Sequence, residues 1–367
     1  MPGTTYEVVC CSRGGTESGQ VTRINLNLPG LSIDPDGLST FVSECVPDAG
    51  PLTRIEALAG GISNVTLLAE SGPHRWVLRR RPVGNIPEQS HDMRREYETL
   101  RMLAASPIPV PAVYGYTDDS SLIGAPFYVM DFVQGVIVQT AEDVQPSHSA
   151  VWAQACDEMV RILAELHAIP LSSFPTFQAG RSRSVMARHL QRWHDRWNGR
   201  PHRDIPLIDH IADELHRCLP REQELTFVHG DYRIGNVVID PDGGRRPIRA
   251  VLDWELSTFG HPMTELAHLL AYWEGTGDII SHRAQRIAAE VGFPDADHMA
   301  DRYASISGRS IEHLPVFIAF EHWRAAIIKE AIYQRRAQLD APAVELDDTR
   351  NGVDCHVAEA AARLGLS

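Results

Sequence analysis

The sequence predicts an α+β protein of two lobes: a small lobe with an antiparallel sheet plus one helix, and a large lobe that is mostly helical. Three observations predict it. Between residues 55 and 130 the apolar runs are short and separated by Gly- and Pro-bearing turns, the pattern of strands. From residue 149 onward the apolar residues recur at helical spacing over long segments. A chain of 367 residues is also long enough for two domains, each with its own core. The expected division is a loosely ordered N-terminal extension over 1–33, a small lobe over 34–133 and a large lobe over 134–367.

Taken in order, residues 1–33 are rich in Gly, Ser and Thr and show little periodicity. A short helix is expected from Asp36 to Val46. Ile55 to Leu58 and Val65 to Ala69 read as strands joined by Ala59-Gly60-Gly61-Ile62-Ser63-Asn64, a Gly-rich turn whose backbone N–H groups can face phosphates. Arg75 to Arg79 is the third strand. A helix follows with Met93, Tyr97, Leu100 and Leu103 at helical spacing, and it carries Glu96 and Glu98. Ile108 to Tyr114 is an extended, proline-bearing segment, and Pro126 to Met130 is a strand running into Asp131-Phe132-Val133.

In the large lobe, helices are expected from Val151 to Ile169, ending at Pro170, from Ser184 to Asn198, and from Ile208 to Leu219. His167 in the first of these reads as a packed histidine. Residues 311–339 give one or two helices, residues 340–352 read as polar and irregular, and a short Ala-rich helix ends the chain. No internal repeat is visible.

Composition narrows the function. Hydrophobic content of 43% and charged content of 22% are ordinary for a soluble globular enzyme. No apolar run approaches a membrane span, and the first residues lack the basic flank and long apolar core of a secretion signal. Six cysteines without a Cys-x-x-Cys pair argue for reduced thiols in a cytoplasmic protein. A net charge of −14 makes nucleic acid or an anionic membrane an unfavourable partner. Lys329 is the only lysine, and it does not follow a Gly-rich strand-to-helix turn, so a Walker A kinase is excluded.

Residues 225–268 carry the chemistry. An apolar strand ends in a polar loop (His229, Gly230, Asp231), followed by Asn236, a second strand from Val237 to Ile239, a Pro-Asp-Gly-Gly turn, and a third strand that delivers Asp253. Two carboxylates and an amide on loops at strand ends suit phosphoryl transfer to a hydroxyl. One carboxylate accepts the hydroxyl proton, while an amide oxygen and the second carboxylate hold magnesium against nucleotide phosphates.

His-x-Asp, then Asn five residues later, then a hairpin and a strand-end Asp, resembles the catalytic and metal loops of protein kinases. With Gly after the His and with Leu252-Asp253-Trp254-Glu255, the stretch resembles the aminoglycoside phosphotransferase and choline-kinase-like family. Within it the similarity is greatest to the branch associated with acyl-CoA dehydrogenases. It runs from about residue 50 to about residue 337.

The resemblance implies a protein-kinase-like fold, ATP or GTP as donor, and Mg2+ held by Asn236 and Asp253. It implies Asp231 as the group that orients the acceptor hydroxyl and takes its proton, Arg233 within reach of the transferred phosphoryl group, and His229 as the buttress of their loop. The phosphates would lie under Gly60, Gly61, Ser63 and Asn64. Arg79 stands where the phosphate-gripping lysine of kinases stands, with Glu96 as its ion-pair partner; the other reading of Arg79 is a solvated charge in the 79–81 arginine run. Asp131 and Val133 would pair with the base through their backbones, with Met130 behind it. The family pattern after Asp253 has Gly-Asp-Pro and a later Asp that braces the catalytic loop. This chain has Gly260-His261-Pro262 and Glu265 instead.

The acceptor is read from charge. Residues 181–200 carry six arginines against the single acid Asp195, which suits no polycation. An anionic or amphipathic hydroxyl compound, such as a hydroxyacid or hydroxyacyl thioester, fits better, with Trp193, Trp197 and Trp323 as apolar walls. Two readings stay beside it: an aminoglycoside or macrolide resistance kinase, and a nucleotide-binding pseudokinase. A metal-dependent hydrolase on His229, Asp231, Asp253 and His261 lacks the usual zinc-ligand spacing.

Overall fold

A computed structural model describes residues 23–25, 32–58, 64–82, 92–138, 143, 149–177, 185–220, 224–274 and 293–366. The chain divides into two compact units, Met1–Gln134 and Gly135–Ser367, and the architecture is mixed α+β.

The first unit is a six-stranded sheet in the order β1-β2-β3-β4-β6-β5. Its strands are β1 (Arg23–Asn25), β2 (Arg54–Ala57), β3 (Val65–Ser71), β4 (His74–Arg80), β5 (Val113–Thr117) and β6 (Phe127–Asp131). All neighbours pair antiparallel except β1, which runs parallel to β2. β1 lies inside the stretch expected to be a loose extension. An edge strand offers unpaired backbone groups that any extended segment can satisfy, so its residues need no strand signature of their own.

Helix α1 (Pro35–Cys45) starts where Asp34 accepts the Gly37 N–H at 3.1 Å and proline fills the first turn. Its Leu38 and Val42 enter a core with Leu52, Ile55, Leu67, Leu78, Phe127 and Val129. Helix α2 (Met93–Leu103) is capped by Asp92 and packs against β5 and β6. Its helical spacing buries Met93, Glu96, Leu100 and Leu103 on one face. A single turn, α3 (Ser120–Ile123), precedes β6.

The second unit is mostly helical: α4 (Ser149–Ala168), α5 (Val185–Asn198), α6 (Leu207–Cys218), α7 (Pro262–Glu274), α8 (Ala296–Ser307), α9 (Leu314–Gln338) and α10 (Ala343–Arg363). Two small antiparallel ladders join them. One pairs β7 (Thr226–Val228) with β10 (Thr258–Gly260), and the other pairs β8 (Val237–Ile239) with β9 (Ile248–Val251).

Residues 311–339 contain one helix, α9 (Leu314–Gln338). Residues 340–352 are not irregular: from Ala343 they begin the 21-residue α10. The polar sequence hid this because α10 buries a narrow stripe of Thr349, Gly352, Val353, His356, Val357, Ala360 and Ala361, packed along α9, rather than a continuous apolar face. Among the described residues no helix is long and apolar enough to cross a membrane.

Candidate active site

The loop after β7 is built from below by buried groups. Gly230 has φ +90°, and a Cβ there would sit 2.5 Å from the Leu256 carbonyl oxygen, so only glycine fits the turn. Glu265 on α7 accepts the His229 N–H at 2.9 Å and the Gly230 N–H at 2.6 Å. His167 donates through Nε2 to Glu265 at 3.2 Å, and its Nδ1 lies 2.7 Å from the Tyr303 hydroxyl. Burial opposes charge on Glu265, but the His167 hydrogen bond, His229 and the backbone donor outweigh it and hold the carboxyl below its usual range. Glu265 therefore does the bracing expected of a shorter acid, and His167 is a packed histidine with both nitrogens used.

His229 is fully buried. Its Nε2–H donates to the Leu252 carbonyl at 2.8 Å and its Nδ1 accepts the Asp231 N–H at 3.2 Å. Both nitrogens are thus engaged with backbone, the arrangement of a loop buttress and not of a proton carrier. Tyr232, also fully buried, ties the loop to α4 by donating to the Met159 carbonyl at 2.9 Å.

Asp231, Asn236 and Arg233 come together on this loop. Asn236 Nδ2 donates to Asp231 Oδ2 at 2.9 Å and to the Asp231 carbonyl at 2.8 Å. Arg233 Nε donates to the same Oδ2 at 3.2 Å, and its guanidinium lies 5.5 Å from the Tyr272 ring centroid. The Asn236 carbonyl accepts the Leu252 N–H at 2.8 Å, which joins Asn236 to the residue before Asp253. Asp253 adopts φ +66° and ψ +61°, a left-handed conformation uncommon outside glycine. Such strain often marks a functional position.

One further side chain contacts Asp231, and two more stand behind it; the sequence alone brings none of them to the site. His268 Nε2 lies 3.0 Å from Asp231 Oδ1, and His268 Nδ1 lies 3.2 Å from Glu321 Oε2. Arg324 bonds Glu321 and reaches 3.0 Å from His268 Nδ1. Burial works against charge on His268, but the Asp231 and Glu321 hydrogen bonds prevail over it and over Arg324, raising the imidazole to about 9. Burial likewise opposes the Asp231 carboxylate, and His268, Arg233 and His229 reverse it, so Asp231 is held far below the ordinary carboxylate range. The one local hint was Glu265 and His268 three residues apart, on the same face of a helix.

His261 occupies the place of an expected carboxylate and takes over a capping task. Its Nδ1 accepts the Met263 N–H at 3.1 Å at the start of α7, and its ring stacks on Phe317 at 4.6 Å. Burial pushes it down to about 4, against Glu224 and with help from His167 and Arg309, so it is a neutral acceptor.

Helix α5 faces α9. Trp193 lies beneath two guanidiniums, Arg196 at 4.9 Å and Arg324 at 5.9 Å, and His189 packs on Phe320. A cleft of about 370 Å³ opens beside Trp193, with Trp197, Arg196, Arg200, Ile328 and Arg335 among its walls. Trp323 is no wall of it. It is fully buried and donates its indole N–H to the Ile208 carbonyl.

In the first unit, Arg79 Nε donates to Glu96 Oε2 at 3.1 Å, with Glu96 1% exposed. Arg79 is therefore not a solvated charge. Asn64 and Met130 are buried and Val133 is half-buried. Asp131 accepts from the Tyr114 hydroxyl at 2.5 Å, and its N–H donates to the Ala112 carbonyl. Gly60, Gly61 and Ser63 lie outside the described residues.

A model of the "Phosphotransferase enzyme family" (APH) matches residues 54–302. Acyl-CoA dehydrogenase family member 11 of Mus musculus is 31% identical over 317 residues, covering 84% of this chain and 40% of its own length. This chain thus spans about two fifths of the curated relatives it matches. A crystal structure from Ralstonia eutropha, provisionally named an aminoglycoside phosphotransferase, is 27% identical with a TM-score of 0.76, covering 91% of this chain and 99% of its own. The aminoglycoside phosphotransferase APH(4)-Ia, solved as a ternary complex with ADP and hygromycin B, is 16% identical with a TM-score of 0.58, covering 88% and 98%.

Proposed function

Because the chain belongs to the phosphotransferase enzyme family and is a small-molecule kinase, we propose that it moves the γ-phosphoryl group of ATP or GTP, with magnesium, to a hydroxyl of an anionic or amphipathic compound such as a hydroxyacid or hydroxyacyl thioester. The observation that carries this reading is Asp231, held ionised in a ring of donors and linked through Asn236 and Leu252 to Asp253.

The donor set fits a hard divalent cation: an amide oxygen on Asn236 and a carboxylate on Asp253, the two remaining after Asn236 Nδ2 has turned to Asp231. Among the described residues no group of three His, Cys, Asp or Glu side chains could hold a metal ion by itself, so nucleotide phosphates would have to supply the other ligands. Bound there, Mg2+ would neutralise phosphate charge. The chain's own groups do the rest. Asp231 orients the hydroxyl and takes its proton late, since a loose transition state asks for positioning more than basicity. Arg233 supplies positive charge beside it. Arg79, fixed by Glu96, serves the nucleotide phosphates, and the backbone at Asp131 and Val133 serves the base.

The acceptor class follows from charge. Arg233 and His268 bond Asp231, Arg324 stands behind His268, and Arg196 of α5 and Arg200 just past its end line the cleft beside Trp193. A polycation of the kanamycin type meets repulsion there, whereas an anion with an apolar body meets guanidinium and indole. The intact set of Asp231, Asn236 and Asp253 speaks against a pseudokinase. The free thiols of Cys45, Cys156, Cys218 and Cys355 support a cytoplasmic protein.

The test is magnesium-dependent turnover of ATP and GTP by the purified protein, beside Asp231→Asn and Asp253→Asn. The acceptor panel spans hydroxyacids, hydroxyacyl thioesters, aminoglycosides and macrolides. Transfer to the first two classes that collapses in both variants supports the proposal. Transfer only to antibiotics replaces the acceptor, and nucleotide binding with no transfer to anything defeats the kinase reading of Asp231.

A further inference from the structure

The two oxygens of Asp231 carry unequal loads. Oδ2 accepts from Asn236 Nδ2 at 2.9 Å and from Arg233 Nε at 3.2 Å, whereas Oδ1 accepts from His268 Nε2 at 3.0 Å. A carboxylate offers about four acceptor directions, so Oδ1 is the oxygen with one to spare for a substrate. An acceptor hydroxyl thus meets Asp231 on the oxygen that His268 holds.

His268 is itself fixed from behind. Its Nδ1 faces Glu321 Oε2 at 3.2 Å and Arg324 Nη2 at 3.0 Å, Glu321 is 4% exposed, and Arg324 closes the triangle by bonding the same carboxylate. The Tyr272 ring packs at 5.4 Å from the imidazole. With Asp231 ionised, Nε2 must carry the hydrogen between them whether the ring is neutral or cationic, because a carboxylate only accepts. A neutral ring takes Arg324 at Nδ1 and a cationic one gives to Glu321. The contact with Asp231 is the same in both.

We propose that His268 is a positioning residue for phosphoryl transfer: its Nε2–H, braced by Glu321 and Arg324, sets the rotation of the Asp231 carboxylate and presents Oδ1 to the acceptor hydroxyl. The inference rests on the kinase reading of Asp231. In that reaction the hydroxyl oxygen bonds to the γ-phosphorus, the bond from phosphorus to the bridging oxygen breaks with its electron pair leaving on the nucleoside diphosphate, and the hydroxyl proton passes to Oδ1. His268 neither gains nor loses a proton in the step. Glu321 and Arg324 lie on α9 and His268 on α7, so the geometry of the reacting carboxylate is set by the packing of two helices outside its own loop.

Two variants test the role on the full chain. His268→Gln can place an amide N–H near the Nε2 position, while His268→Leu fills the space without a donor. We expect His268→Leu to lower kcat roughly ten- to a hundredfold, the worth of a hydrogen bond to a charged group, with the nucleotide KM little changed and His268→Gln recovering most of the loss. Equal losses in both, or a loss matched by a rise in nucleotide KM, overturn the proposal. A wild-type protein that transfers to no acceptor defeats the kinase reading instead. Histidine-selective ¹⁵N NMR then reads the contact without turnover. The Nε2–H resonance that disappears in His268→Leu should exchange slowly with water and shift in Asp231→Asn. A resonance indifferent to Asp231→Asn overturns the contact itself.

Discussion

Glu265 of α7 binds two consecutive backbone N–H groups of the loop, His229 at 2.9 Å and Gly230 at 2.6 Å, through its two carboxylate oxygens. One buried side chain thereby fixes the direction in which Asp231 leaves β7. Glu265→Gln keeps the size but turns an amide N–H toward a backbone donor. We expect a loss of about 1–3 kcal/mol in urea denaturation, with turnover falling further than stability alone explains. Unchanged stability would mean that the loop holds its shape without Glu265.

Gly230→Ala strikes the same turn from the other side. The added Cβ meets the Leu256 carbonyl at 2.5 Å in a left-handed conformation. A destabilisation of about 2 kcal/mol or more is expected in thermal or urea melts. A variant as stable and as active as the parent would show that the loop relaxes freely.

Arg79, 12% exposed, and Glu96, 1% exposed, form a largely buried pair. Arg79→Ala leaves the Glu96 carboxylate without that partner and should cost about 3 kcal/mol. Arg79→Lys keeps the charge and should be milder. If Arg79 also serves the phosphates, both variants raise the nucleotide KM, and the lysine variant raises it less. A stability loss with no change in KM would confine Arg79 to a structural task.

Stability should peak near neutrality. Burial pushes His189 and His261 down to about 4 and His322 to about 3. An unfolded histidine titrates at about 6.5, so below that pH the unfolded chain binds more protons and stability falls as pH drops toward these folded values. His268 has the opposite sign. Raised to about 9, it contributes in full below its unfolded value of 6.5 and loses its contribution as pH climbs through 9. Urea denaturation across this range should show a maximum at about pH 6.5–7 with both limbs declining. His322→Leu should flatten the acid limb by about 1 kcal/mol per pH unit. An unaltered acid limb would remove His322 from the cause.

The order of elements was readable wherever a segment's own residues decide its conformation. Asp34 and Asp92 cap their helices, Gly230 permits its turn, and apolar spacing marks α2, α4 and α6. β1, β10 and the first turns of α10 were missed for one reason. Each is held by a partner elsewhere in the chain: β1 by β2, β10 by β7, and α10 by α9. Neither a three-residue strand nor a polar helix with a narrow buried stripe leaves a periodic pattern to read.

The same division runs through the site. His229, Asp231, Asn236 and Asp253 fall within 25 residues on loops between short strands, so spacing alone brings them together, and chemistry can be read from their types. His268 reaches Asp231 from α7, Glu321 and Arg324 reach His268 from α9, and Tyr303 reaches Glu265's histidine from α8. Their roles depend on how helices pack. Side-chain hydrogen bonds form between whatever groups packing brings within about 3 Å, and nothing in a residue's neighbours along the chain records which those will be. Sequence thus singles out Asp231 as the candidate reacting carboxylate and Asn236 as its amide partner, which the structure brings into contact. Only the packed helices decided how that carboxylate is turned, and which cations surround it.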